Sequence, residues 1–312
     1  MIRSRFGFVG VLLSTLLDPG IGEAGPVGVW HRDYASGLAE AKAEGKDLMV
    51  VFTGTDWIEI CGTFYDEILG DPAFIEAVSA KFALVKLEYP KDNRLPRGEL
   101  AEKTVLREAY RVRGFPTVLL TDVAGRPFGV NGYQPVTAKD YADQILGIDA
   151  AWDRGGAMAE KAAALSGTER ARELVKSLPD VPDPLLARFF GSELRAIMDL
   201  DVGDELKVHG RFEQILAEEA YEREMQKLAR RSDWDGMIAL TDRHIETRKL
   251  RGRALQAALL NRAGIERRAG MVAEAEATLR EIVSVDPGSE TGREAERLLE
   301  KSKGTGTDAT AP

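Results

Sequence analysis

The sequence predicts a mixed α/β sandwich in its first half and an all-helical region in its second. Two short apolar runs rich in β-branched residues, at 47–53 and 82–88, indicate buried strands, because each is too short for a helix. Helical segments alternate with these strands, and a final strand pair precedes a last helix, which is the order of a mixed sheet covered by helices. After Trp152 the pattern of strands does not return, and long stretches rich in Ala, Leu, Glu and Arg predict helices alone.

Local signals give the bounds of these elements. Gly45 ends the first helix, and Asp71-Pro72 starts another, since Asp caps a helix and Pro suits its first turn. A turn at 125–127 joins the last two strands into a hairpin. In chain order the sequence predicts a helix at 36–45, a strand at 47–53, helices at 62–69 and 71–81, a strand at 82–88, a helix at 99–112, strands at 118–121 and 128–132, and a helix at 136–152.

Four segments follow from this pattern: a signal peptide at 1–24, the α/β domain at 25–152, the helical domain at 153–302 and a disordered tail at 303–312. The first of these carries Arg3 and Arg5 ahead of a short apolar run, then a break and small residues that suit cleavage. A buried N-terminal helix is the alternative. The expectation is export to the periplasm or beyond the cell, with no integral membrane span once the signal is removed.

Composition excludes several kinds of function. The 312 residues carry a net charge of −9, which argues against a nucleic-acid partner, because such proteins usually present a basic face. The single cysteine, Cys61, rules out an intramolecular disulfide and a cysteine-based zinc site. The three histidines show no metal-ligand spacing, so neither a metal nor a cofactor is expected.

A group of motifs carries a resemblance to a known family. The strand at 47–53 runs into Trp57-Ile58-Glu59-Ile60-Cys61, and Phe115-Pro116 precedes a later strand. Together with Gly132-Tyr133 before the closing helix, these features resemble bacterial thioredoxin-like proteins. In that family a strand leads to Trp-Cys-x-x-Cys at a helix N-terminus, and a cis proline faces the motif. The resemblance implies a thioredoxin-like mixed sheet sandwiched by helices.

The sequence departs from the family at two positions that carry its chemistry. Ile58 occupies the place of the first cysteine, which in the family is the nucleophile that attacks a disulfide. Phe52 occupies the place where many thioredoxins keep a buried carboxylate. The acidic neighbours Asp56 and Glu59 also disfavour a reactive thiolate at Cys61. Ordinary dithiol–disulfide exchange is therefore not expected.

Two interpretations of this region stay open. The first is a non-catalytic adaptor that binds a protein or an extended peptide through Trp57, Ile58, Phe115 and Pro116. The second is a monothiol disulfide oxidoreductase or isomerase that uses Cys61 as its catalytic residue. Each of these residues also has a structural interpretation: Cys61 as a small core residue, Pro116 as a retained part of the scaffold, and Trp57 as a packing residue. The sequence therefore does not decide whether the chain is an enzyme.

The helical half resembles a tetratricopeptide-like array of helical hairpins. Counting back from Pro287, small residues fall at Ala263 and Ala275, and Gly270 lies in the turn between two helices. Glu266 stands where that family has an aromatic residue. The alternatives are a concave surface that binds a partner and a packing domain without a ligand. Charged runs such as 218–224 are interpreted as solvated helix faces.

Overall fold

The structure is a computed structural model that describes residues 29–92 and 95–305. The predicted signal peptide and the end of the predicted tail lie outside these residues. The strands are β1 (Asp47–Thr53), β2 (Phe82–Glu88), β3 (Thr117–Thr121) and β4 (Pro127–Asn131). The helices are α1 (Tyr34–Glu44), α2 (Glu59–Phe64), α3 (Pro72–Ser79), α4 (Arg97–Ala109), α5 (Ala138–Ala162), α6 (Gly167–Ser177), α7 (Asp183–Leu200), α8 (His209–Arg230), α9 (Trp234–Arg248), α10 (Gly252–Arg268), α11 (Val272–Val285) and α12 (Glu290–Thr305).

The four strands form one mixed sheet in the order β2-β1-β3-β4. β1 runs parallel to β2, with Asp47 opposite Phe82 and Thr53 opposite Glu88, and antiparallel to β3. Every residue of β1 is buried, as expected for a central strand covered on both faces. The predicted thioredoxin-like fold class is confirmed, and the two apolar runs are β1 and β2 as predicted.

The ends of the predicted helices shift by one to three residues in most cases, and two helices, α2 and α5, change in a way that affects the structure. α2 begins at Glu59, three residues earlier than expected, and passes into a π-helical segment at Tyr65–Leu69. α5 continues to Ala162, ten residues beyond Trp152. Gly155 permits close packing there, because a Cβ atom at this position would lie 2.9 Å from the carbonyl oxygen of Ser177.

The contacts of the chain divide it into two compact units. Within the described residues, the first comprises 29–92, 95–96, 114–123 and 132–146, and the second comprises 97–113, 124–131 and 147–305. The first unit contains the three strands β1, β2 and β3 with α1, α2 and α3. Its core is apolar, and its largest fully buried side chains include Phe52, Phe64, Phe74, Phe82 and Tyr141.

The second unit is built mainly from helices. α10, α11 and α12 share a core that includes Leu259, Leu279, Ile282 and Ala295. The small residues Ala263 and Ala275 are each 2% exposed, and Gly270, with a positive φ of 79°, lies between α10 and α11. Helical hairpins are therefore present, whereas their assignment to the tetratricopeptide family stays a prediction.

Buried charges in this unit correct the interpretation of residues 218–224 as a solvated face. Glu219 is 5% exposed, and its carboxylate contacts the guanidinium of Arg111 at 2.8 Å. Glu266 is 1% exposed and accepts a hydrogen bond from the Thr278 hydroxyl at 2.8 Å. Both carboxylates have polar partners, which is the condition for keeping a charge in a protein interior.

None of the helices in the described part of the chain is both long enough and apolar enough to cross a membrane.

Candidate functional site

The site begins where β1 ends. The amide N–H groups of Trp57 and Ile58 donate to the carbonyl oxygen of Gly54, at 3.2 and 2.9 Å, and so turn the chain toward α2. Ile58 is the N-terminal cap residue of α2 and has an extended backbone, with φ −118° and ψ 105°. The position of the missing cysteine is thus at the start of a helix, and its half-buried side chain is a hydrocarbon.

Cys61 lies one turn further along α2 and is closed off from solvent. Its residue is 1% exposed, and its amide donates to the carbonyl oxygen of Ile58 at 2.9 Å. The thiol is free of any disulfide. A nucleophilic thiol must reach its target with its sulfur exposed, and in this conformation Cys61 does not.

Trp57 is the most exposed apolar residue of the motif. Its residue is 47% exposed, and the neighbouring Ile60 is 39% exposed. The indole is nonetheless fixed, because its Nε1–H donates to the carbonyl oxygen of Tyr89 at 2.8 Å. Gly54 lets the ring lie close to the backbone, since a Cβ atom there would be 2.5 Å from Nε1. One edge of the ring is therefore anchored while a large apolar area stays open.

A run of aromatic rings joins the interior of the first unit to this surface. Phe52, fully buried, stacks on Tyr89 with ring centroids 6.2 Å apart, and Tyr89 stacks on Phe115 at 4.9 Å. Phe115 then meets Trp57 edge to face at 6.4 Å. We call Trp57, Tyr89 and Phe115 the aromatic rim. Phe52, at the place of the family's buried acid, supports the rim from beneath.

Sequence reasoning missed Tyr89. A signal for it existed, because the residue directly follows β2, and the parallel pairing of Thr53 with Glu88 places the ends of β1 and β2 at the same edge of the sheet. The Thr55 amide also donates to a Glu88 carboxylate oxygen at 2.5 Å across this edge. The two strand ends are therefore tied together below the rim.

The peptide bond between Phe115 and Pro116 is cis, as the resemblance implied. A Cβ atom on Gly132 would lie 3.4 Å from the carbonyl oxygen of Pro116, so the segment before the closing helix passes next to this loop. The structure thus brings together Trp57 and Phe115 from the predicted set, with Pro116 next to Phe115 in the chain. Ile58 stands beside Trp57 at the cap of α2, and Cys61 lies below the surface.

Polar groups flank the apolar surface. Asp56 and Glu59 are exposed on either side of Trp57 and Ile58 in the chain. The Tyr133 hydroxyl donates to Glu67 at 3.2 Å, and desolvation, followed by the charge of Glu67, raises the pKa of Tyr133. The chain neighbours of Trp57 and Ile58 are therefore exposed carboxylates.

One group in the described residues brings possible metal ligands within 4.8 Å of one another: Asp201, Asp204 and His209. Its carboxylates already have a structural task. Asp201 accepts the amides of Glu205 and Leu206, and Asp204 accepts those of Val208 and His209. The amide of His209 is the main cause of the lowered pKa of Asp204. Asp204 therefore caps the start of α8, and Asp201 holds the loop before it. The expectation that the chain binds no metal stays a prediction.

Comparison with known proteins gives this geometry a context. A family described as "Thioredoxin-like domain" matches residues 34–144. The chain is 27% identical over 112 residues to "Disulfide bond reductase DsbH" of Chlamydia pneumoniae, covering 36% of this chain and 68% of that protein. It is 32% identical over 121 residues to "Thioredoxin-related protein DsbJ" of the same organism, covering 38% of this chain but only 35% of DsbJ.

Two solved structures are similar in part. "DsbH Oxidoreductase" has a TM-score of 0.36 and 23% identity, covering 42% of this chain and 94% of the other. A thioredoxin from Thermus thermophilus has a TM-score of 0.31 and 22% identity, covering 39% and 88%. Residues 34–144 of the chain are a thioredoxin-like domain, to which the sequence adds a helical region.

Proposed function

We propose that the chain is an exported, thioredoxin-like adaptor that binds extended segments of partner proteins at the aromatic rim, without dithiol–disulfide exchange. One contrast carries the proposal: the sole cysteine is 1% exposed, whereas Trp57, four residues away, is 47% exposed. A site for thiol chemistry would need an exposed sulfur, and the position that supplies it in the family holds Ile58. The anchored indole and the adjoining ring of Phe115 leave an apolar surface of the kind that holds peptide side chains.

A second candidate function is monothiol exchange by Cys61. It is favoured by the similarity to a protein named as a disulfide bond reductase and by the presence of one cysteine at the family's second position. In such a step the Cys61 thiolate would attack a substrate disulfide, form a mixed disulfide and release one substrate thiolate. A thiol from another molecule would then have to displace Cys61.

Peptide binding is the direct test of the adaptor function. The full chain is titrated with a fluorescent, fully alkylated unfolded polypeptide, and binding is followed by anisotropy. Trp57→Ala is expected to weaken binding about tenfold, since aromatic side chains dominate such interfaces. Val123→Ala, which also removes an exposed apolar side chain in the first unit (38% exposed), is expected to change binding little. Equal affinities for all three chains would refute the rim as the binding surface.

Restoring the lost thiol tests the redox part of the proposal. Ile58→Cys rebuilds a Trp-Cys-x-x-Cys motif at the cap of α2, and this variant is expected to reduce insulin disulfides in the presence of dithiothreitol. Ile60→Cys has the same number of thiols at the wrong spacing and serves as its control. The unaltered chain should show no turnover, and Cys61 should react with iodoacetamide only after unfolding. Rapid alkylation of the folded chain, together with turnover, would favour monothiol exchange.

Export is tested separately by expressing the full chain in a bacterium and fractionating the cells. The proposal expects a periplasmic product shortened near residue 24, which mass spectrometry would detect. A full-length product retained in the cytoplasm would contradict it.

A further inference from the structure

A basic groove lies between α7 and α8, wholly within the second unit. It consists of two cavities of about 390 and 400 Å³. They share Arg188 and Phe189 from α7 with Arg223 and Lys227 from α8. Each cavity is within the size range of known ligand sites, and together they extend along α8.

The charge of the groove is opposite to that of the chain. Five cationic side chains line it against two carboxylates, Glu219 and Glu224, in a protein whose net charge is −9. The cations are Arg188, Arg195, Arg223, Lys227 and Arg230. A local excess of positive charge lined by guanidinium groups is suited to carboxylates or phosphates, which these groups bind in a forked geometry.

One buried carboxylate organises the guanidinium groups. Glu219 lies 2.8 Å from Arg111, 3.5 Å from Arg223 and 3.8 Å from Arg188. Arg111 also contacts Glu222, so in the groove itself Glu219 is the carboxylate shared by Arg188 and Arg223.

Arg223 and Lys227 keep 60% and 56% of their side chains exposed. Lys227 contacts Glu224 at 2.9 Å, so a ligand carboxylate shares or replaces that contact.

A kink in α7 shapes the opposite wall. Phe190 departs from helical geometry, with φ −125° and ψ 17°, and lies between the lining residues Phe189 and Gly191. The Gly191 carbonyl accepts a hydrogen bond from Arg195 Nη1 at 3.1 Å, which holds that guanidinium at the bend. Phe189 stacks flat on Tyr110 at 5.4 Å and adds an apolar surface to the charged wall.

The spacing of the cations on α8 favours an elongated ligand. Arg223, Lys227 and Arg230 follow one another by four and three residues, which at 1.5 Å per residue spreads them over about 10 Å. In an extended peptide, side chains on one face recur at about 6.6 Å. The helical step from Arg223 to Lys227, about 6 Å, is close to that repeat. The step from Lys227 to Arg230, about 4.5 Å, is shorter than the repeat, so these long side chains must spread apart to meet it. The row is nevertheless elongated, and it suits an extended acidic ligand better than a compact anion.

We infer that the groove between α7 and α8 binds an extended acidic segment of a partner protein. Carboxylates at alternate positions pair with Arg223, Lys227 and Arg230, and an apolar residue between them lies against Phe189. The groove does not include any residue of the aromatic rim. An experiment that refutes binding at one of these surfaces therefore leaves the proposal for the other surface intact.

The test uses the full chain and a fluorescent ten-residue peptide with glutamate at alternate positions. Binding is expected by anisotropy at low salt and should weaken as ionic strength rises. A peptide with glutamine in place of glutamate should not bind. Arg223→Glu should weaken binding of the acidic peptide about tenfold. Arg223→Gln, a milder change, should weaken it by a smaller factor, and circular dichroism would confirm that both variants fold.

Arg280→Glu is a matched control. Arg280 is also 60% exposed and is also paired with a glutamate four residues earlier, on α11 instead of α8. It is expected to leave binding unchanged. If it weakens binding as much as Arg223→Glu does, the attraction is to the whole chain and the groove is refuted. Pyrophosphate that binds more tightly than the peptide, or a glutamine peptide that binds equally well, would also overturn the inference.

Discussion

The two units of the chain place their buried carboxylates differently. In the first, β1 is buried throughout; its carboxylate, Asp47, lies at the start of the strand, and Phe52 lies near the end next to the motif, where the family resemblance implies an acid. In the second, Glu219 and Glu266 lie inside the helical packing, each with an arginine partner. The comparison teaches that the interior beside the thioredoxin-like motif is apolar at Phe52, whereas the helices use buried carboxylates to fix their arginines.

The proposed binding surface of each unit has the same chemical character as the interior beneath it. An apolar core continues outward through Tyr89 and Phe115 to the exposed ring of Trp57. In the helical unit, the buried Glu219 instead contacts Arg188 and Arg223 of the basic groove. Each proposed binding surface is therefore an extension of the packing beneath it, and substitutions in the interior should reveal the difference.

The largest effect is expected from returning an acid to the core of the first unit. Phe52→Asp removes a fully buried ring and places a carboxyl group in an apolar strand, so the free energy of unfolding should fall by about 5 kcal/mol. Urea denaturation measures this change. Phe52→Leu, which keeps the position apolar, should cost about 1.5 kcal/mol. A Phe52→Asp chain as stable as Phe52→Leu would show that the core around the motif still accommodates an acid.

An intermediate effect is expected from removing a buried acid in the second unit. Glu266→Ala removes the carboxylate that lies 3.2 Å from Arg262 Nε, which keeps Asp242 at 3.4 Å, and it leaves the buried Thr278 hydroxyl without its acceptor. The free energy of unfolding should fall by about 3 kcal/mol.

Glu294→Ala is the control for that substitution. It breaks an exposed pair with Arg297 on α12 and should cost about 0.5 kcal/mol or less. Equal costs for the two substitutions would mean that burial of Glu266 does not matter for stability. The contrast between the two interiors would then be wrong.

The smallest effect concerns a polar group at the surface of the first unit. Asp33 caps α1 by accepting the Ser36 amide and hydroxyl, both at 2.8 Å, and these hydrogen bonds hold the pKa of Asp33 below its usual 3.8. Asp33→Ala should cost about 1 kcal/mol at neutral pH.

The pH dependence of this difference has a definite sign. A lowered pKa in the folded state means that the ionised cap stabilises the fold above the unfolded pKa, and that this stabilisation is lost as pH falls through the folded value. The difference in stability between the two chains should therefore shrink in strong acid. Asn is a cap that does not titrate. The difference in stability between Asp33→Asn and Asp33→Ala should therefore stay constant between pH 5 and 2, a range that spans the usual carboxyl pKa of about 3.9.

Sequence reasoning succeeded where a local pattern carries the information. The bounds of β1 and β2 follow from apolar runs of strand length, and the start of α3 follows from Asp71-Pro72, whose carboxylate accepts the Ala73 amide. The cis bond at Pro116 and the closeness of Phe115 to Trp57 followed from the family resemblance, because the motif and that loop occur together in the fold.

What could not be predicted depends on contacts between distant parts of the chain. Glu219 has the sequence surroundings of a solvated helix face, and only the approach of Arg111 and of α7 reveals that it is buried. Tyr89 has no motif of its own and gains its place in the rim from ring contacts with Phe52 and Phe115. Side-chain pairing of this kind is decided by tertiary packing, which periodicity along the sequence does not report.

The burial of Cys61 has a consequence for the protein in the oxidising compartment to which the proposed export would take it. The chain cannot form an internal cross-link, and its single sulfur is covered as long as the fold is intact. A disulfide-linked dimer can therefore arise only from chains that have opened, so without a reductant the fraction of dimer accumulated over time records past unfolding. The same protection makes Cys61 a single-site chemical reporter of folding, which needs no engineered label and is read on a non-reducing gel.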